Sequence, residues 1–78
     1  MEYQRKKHLP YLIKVSKEAI GDHSREGCEK IIEGLKAGLA IERKRGRAGS
    51  WLYDLRRHAA MTDALQAEQD ALAVKEVA

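Results

Sequence analysis

The feature that most limits how this chain can fold is an apolar stripe between Ser24 and Ala37. Cys28, Ile31, Ile32 and Leu35 recur at spacings of three and four, which places them on one side of an α-helix. Arg25, Glu26, Glu29, Lys30, Glu33 and Lys36 fill the remaining positions, and Glu26–Lys30 is a favourable i,i+4 pair. Ser24 suits the N-cap, because its hydroxyl can accept an otherwise unpaired amide of the first turn. Gly27 and Gly34 weaken a helix interior and point to close approach by a neighbour. Gly38 stands where such a helix is expected to stop, as a C′ residue.

Beyond Gly38 the apolar period reads as two. Leu39, Ile41, Arg43 and Arg45 share one face, and Ala40, Glu42 and Lys44 share the other. The turn-rich run Gly46-Arg47-Ala48-Gly49-Ser50 follows, and then Trp51, Tyr53, Leu55 and Arg57 alternate with Leu52, Asp54 and Arg56. The pattern predicts a β-hairpin over 39–57, with Arg45 opposite Trp51, Arg43 opposite Tyr53 and Ile41 opposite Leu55. The rival reading runs the helix on through 39–45 and starts another at Ser50.

Elsewhere, residues 1–8 read as a loose basic arm. A helix is expected over 9–20, with Pro10 in its first turn, and a turn over Gly21-Asp22-His23-Ser24. Residues 59–76 are rich in Ala, Glu and Gln and read as a helix. Ala60, Ala64, Ala67, Ala71 and Val74 form one line along it, and Met61, Leu65 and Leu72 a second. Two such faces allow packing on the domain and on a second copy of the chain. The expected organisation is a domain over 1–58 and a dimerisation element over 59–78.

Charge is unevenly spread. Residues 1–58 hold 14 Lys and Arg against eight Asp and Glu, a balance of +6, whereas residues 59–78 sum to −3. Arg5-Lys6-Lys7-His8 is one basic cluster, and Arg43-Lys44-Arg45 with Arg47, Arg56 and Arg57 is another. Clustered cations of this kind are what a polyanion requires. With 78 residues the chain has room for one domain. A domain so short buries only about 60% of its unfolded surface. No apolar run is long enough to span a bilayer, and no signal peptide is expected. The lone Cys28 fits a reduced, cytoplasmic protein, with its thiol packed in the core.

In order, the chain then reads as Ser16-Lys17-Glu18-Ala19-Ile20, Ser24-Arg25-Glu26, Ile31 to Arg43 with Gly38-Leu39 inside it, and Gly46 to Leu55. This succession of helix, turn, Ser-capped helix, Gly-Leu, basic strand, Gly-rich turn and aromatic strand resembles the winged helix-turn-helix class of DNA-binding domains. The resemblance implies an α+β fold with a recognition helix, a β-hairpin wing and an added C-terminal helix. The all-α alternative is a three-helix bundle. The resemblance also implies a protein that regulates transcription or replication by occupying duplex DNA. Arg43, Lys44, Arg45 and Arg47 are then the expected wing contacts, and Ser24, Arg25 and Lys30 the expected helix contacts. About five phosphate contacts would give a slope of log K against log salt of about −4 to −5. Trp51 and Tyr53 are expected to pack rather than to stack on bases.

Catalysis finds little support. Asp22-His23-Ser24 holds triad residue types, but adjacent side chains do not line up as nucleophile, base and orienter. His23 with Cys28 is too sparse for zinc, and no phosphate-binding Gly loop is present. The expectation is therefore no enzyme, no cofactor and no metal. Glu26, Glu29 and Glu33 on the proposed recognition helix repel phosphates, and they motivate the alternative of a small protein-binding module or inhibitor. RNA binding is a third possibility, with no specific motif behind it.

Overall fold

The computed structural model describes residues 2–77, and the side chains of all of these except Val77. The proposed arm and dimerisation element therefore extend, at Met1 and Ala78, outside the described residues. Four helices follow one another, α1 (Arg5–Leu12), α2 (Lys17–Gly21), α3 (Arg25–Arg47) and α4 (Leu55–Val77), and the described residues contain no strand. The α+β winged-helix architecture is thus incorrect, and the described residues are all-α.

The correction centres on α3. Ser24 caps it as expected, with Oγ accepting from the Gly27 amide at 3.1 Å. The helix does not stop at Gly38. Leu39 and Glu42 extend the stripe of Cys28, Ile31, Ile32 and Leu35 for two more turns, and all six are buried. Glu42 hides the continuity in the sequence, because a charged residue occupies an inward position. The stop comes at Gly49, whose φ of +66° suits a residue without Cβ. The Ser50 amide donates to the Arg45 carbonyl at 2.9 Å and the Gly49 amide to Gly46 at 3.2 Å. These two bonds are the paired closure of a Schellman motif. Lys44, Arg45 and Arg47 lie in the last turn, where cations favour the helix dipole. None of the three strand pairs forms.

Residues 48–54 reverse the chain, and α4 returns along α3. Asp54 starts it by accepting the Arg56 and Arg57 amides at 2.9 and 3.2 Å. Met61 and Ala64 of α4 are completely buried against Ile31, Leu35 and Leu39, and Leu65 packs beside them. Gly38 permits this approach, since a Cβ there would lie 2.3 Å from Cε of Met61. Ala60, Ala71 and Val74 stay exposed, so the Ala line is divided between core and surface.

The N-terminal segment closes the core. Arg5–His8 belong to α1 instead of a loose arm, and Leu9 and Leu12 are buried with Ile31, Leu35 and Met61. Pro10 falls in the second turn, not the first. The helix expected over 9–20 is broken after Leu12, where Ile13 is extended. Ser16 then caps the short α2 by accepting from the Ala19 amide at 3.1 Å.

Arg5 fastens these pieces together. It grips Glu68 of α4 through Nη2 to Oε1 at 2.7 Å and Nε to Oε2 at 2.9 Å. Its Nη1 donates to the Asp22 carbonyl at 2.8 Å, and Nη2 also donates to Sγ of buried Cys28 at 3.4 Å. Tyr3 adds a 2.8 Å hydroxyl bond to Glu68. One member of the first basic cluster is therefore a structural hub.

Candidate nucleic-acid interface

The expected contact residues fall at opposite ends of one rod. Lys30 and Arg43 are separated by about 20 Å of helix at 1.5 Å per residue. Ser24, Arg25 and Lys30 consequently do not share a surface with Arg43, Lys44, Arg45 and Arg47.

The N-terminal end of α3 is occupied by its own contacts. The Ser24 hydroxyl donates to Asp22 while it caps the helix, and this bond holds the Asp22 carboxyl below the usual carboxylate range. Within Asp22-His23-Ser24, Ser24 thus bonds Asp22 directly. Arg25 faces Glu29 at 3.2 Å and Glu76 of α4 at 3.4 Å. Lys30 is exposed among Glu26, Glu29 and Glu33, which are all exposed too. Carboxylates at this density make the end a poor seat for phosphate.

The other end differs. The last turns of α3 and the first turn of α4 gather six Lys and Arg side chains. Two are engaged internally. Glu42 is 1% exposed, and its Oε1 accepts from Arg57 at 2.6 Å and from Arg45 at 3.3 Å. Arg57 also donates to the Leu12 carbonyl, tying α4 to the end of α1. Arg45 is therefore a weaker candidate than the sequence suggests. Arg43, Lys44, Arg47 and Arg56 are exposed and have no carboxylate partner among the described residues.

Arg43 and Arg47 are one turn apart and line a cleft of about 310 Å³ together with Gly46, Tyr53 and His58. Gly46 lets the Tyr53 ring lie close, since a Cβ there would meet ring carbons at 3.1 and 3.3 Å. Tyr53 Oη and His58 Nδ1 form a 2.9 Å hydrogen bond, with the rings edge-on at 5.7 Å. Among the described residues no carboxylate lines this cleft. Tyr53 packs, as its sequence context predicts. Trp51 does not: it is 90% exposed at the tip of the connection, beside exposed Leu52 and Leu55.

Arg56 is the residue that sequence reasoning left out of the site. Its signal in the sequence is its place beside Arg57 in the second basic cluster; Asp54, two residues before it, caps α4 through Oδ1. Among the described residues no three His, Cys, Asp or Glu side chains are grouped to hold a metal ion. No described helix is long and apolar enough to cross a membrane. No protein-family model, curated protein or solved structure matches the chain.

Proposed function

We propose that this protein binds duplex DNA through the basic end of its α3–α4 hairpin and regulates transcription or replication by occupying the DNA. The observation that carries the reading is the group Arg43, Lys44, Arg47 and Arg56, exposed together at one end with no carboxylate paired to them among the described residues. Phosphate contacts dominate such binding, and side chains from two helices can follow a backbone without reading bases. Of the acidic residues within this stretch, Glu42 is buried against Arg57 and Arg45, and Asp54 caps α4 through Oδ1.

Four free cations give a shallower salt dependence than the whole cluster would. The slope of log K against log salt should be about −3 to −4. Fluorescence anisotropy of a labelled random duplex across a salt series measures it. Replacing Arg43, Lys44, Arg47 and Arg56 by Ala should abolish binding on every sequence. No binding by the wild-type chain at low salt would remove the reading. A protein-binding role is the second reading, supported by the exposed Glu26, Glu29 and Glu33 of α3. It calls for one stoichiometric protein partner whose capture survives nuclease.

A further inference from the structure

Trp51 is the only tryptophan in the chain, and it is 90% exposed. A side chain this large and apolar is ordinarily among the more buried. Its exposure does not come from a loosely held segment. The Schellman closure at Gly49 and Ser50 fixes one side of the connection. On the other side, the Tyr53 amide donates to the Ser50 carbonyl at 3.1 Å and the Leu52 amide to Ser50 Oγ at 3.2 Å. Tyr53 is itself held on Gly46 and His58. The indole is thus presented on a pinned turn, in the connection that joins the cation-bearing end of α3 to the cation-bearing start of α4.

We infer that Trp51 is a base-stacking tip, and that the preferred ligand of this end is DNA with an already unstacked base, such as a gap or a single-strand junction. The inference rests on the nucleic-acid reading above and refines its ligand. An aromatic face flanked by cations is the arrangement that holds single-stranded bases, with the charges on the backbone and the ring on a base. A continuous duplex must first be unstacked to admit a ring, whereas a gap presents a base at no such cost. Leu52 and Leu55, one and four residues further on, are exposed as well.

The test uses the full chain, a labelled continuous duplex, the same duplex carrying a short gap, and the gapped strand alone. Label anisotropy reports binding, and emission from the sole tryptophan reports stacking. The gapped duplex should bind about tenfold more tightly than the continuous one. Indole emission should be quenched at saturation by the gapped probe. Trp51→Ala should erase the preference and leave continuous-duplex affinity within about twofold, and Trp51→Phe should retain part of it. Because Trp51 packs on little, helix content by circular dichroism should be unchanged in both variants.

Equal affinity for the two duplexes, a preference that survives Trp51→Ala, or unchanged emission at saturation would overturn the inference while leaving duplex binding intact. Failure of every probe to bind overturns the parent reading and this one with it. A blue-shifted emission with anionic phospholipid vesicles, without quenching by any DNA probe, would also overturn it and assign the tip to a lipid surface.

Discussion

Glu68 and Glu42 both point inward, and each is met by arginine. At Glu68 burial pushes the carboxyl up, but the hydrogen bonds from Arg5 and Tyr3 and the charge of Arg5 outweigh it, so the net shift is downward. Burial, and then the bond to Glu68, keeps the Tyr3 phenol protonated well above its ordinary range, so it remains a donor. The bond to Glu68 likewise strengthens the hold of Arg5 on its proton. A carboxyl that titrates lower in the folded chain contributes stability in full above its unfolded value near 4.5. That contribution shrinks as pH falls through 4.5 and is gone below the folded value. The pair is well shielded, with Arg5 and Glu68 side chains 8% and 4% exposed. Glu68→Gln, which mimics the protonated form, should therefore cost about 3 kcal/mol at pH 7 by leaving Arg5 short of its counter-charge. Urea unfolding at pH 7 and pH 3 checks this. The gap between the two proteins should narrow from pH 7 to pH 3, and a gap of constant size would show that Glu68 acts by shape instead of charge.

At the scale of elements, α3 carries glycines that look alike in sequence and differ in what lies above them. A Cβ on Gly27 would lie 2.6 Å from the backbone oxygen of Asp22, which cannot swing aside. A Cβ on Gly34 would meet only the terminal Cδ1 of Ile13, at 3.0 Å. Gly27→Ala should destabilise by about 1–3 kcal/mol, whereas Gly34→Ala should be neutral or gain up to about 1 kcal/mol from helix propensity. Thermal unfolding of the two variants decides it, and equal effects would contradict the packing described. The same contrast explains what the sequence could convey. The Ser24 cap and the Cys28–Leu35 stripe are local, so spacing alone reveals them. The length of α3 is not local. Glu42 is tolerated inside because Arg57, fifteen residues on, reaches it together with Arg45, and Gly38 is the residue that leaves room for Met61. Without those partners, 39–45 alternates like a strand, and Gly38 rather than Gly49 resembles the stop.

Considered as a whole, the molecule is a long helical hairpin with a shorter segment fastened across it at two arginines. Arg5 holds α1 to α4 near one end, and Arg57 holds the α1 terminus through the Leu12 carbonyl while it pairs with Glu42. Arg45, Arg56 and Arg57 are indistinguishable as charges in a sequence, so the proposed contact set is only partly legible. Arg43, Lys44 and Arg47 are recoverable from composition, but the separation of Arg56 from Arg57 needs the buried carboxylate. This division of labour has a measurable consequence. Arg57→Ala removes a bond to an end carbonyl of α1 and one cation from Glu42, a loss of about 1–3 kcal/mol. It should act locally, because the α3–α4 contact depends on Leu35, Leu39, Met61 and Ala64. In native-state hydrogen exchange, the amides of Leu12 and Ile13 should exchange about tenfold faster or more, while those of Leu35 and Leu39 lose only what global stability loses. The salt slope of DNA binding should stay within one phosphate contact of wild type, since Arg57 is already committed. A uniform rise in exchange across α3 and α4 would mean that all four helices open as one unit, and a slope reduced by more than one contact would return Arg57 to the binding surface.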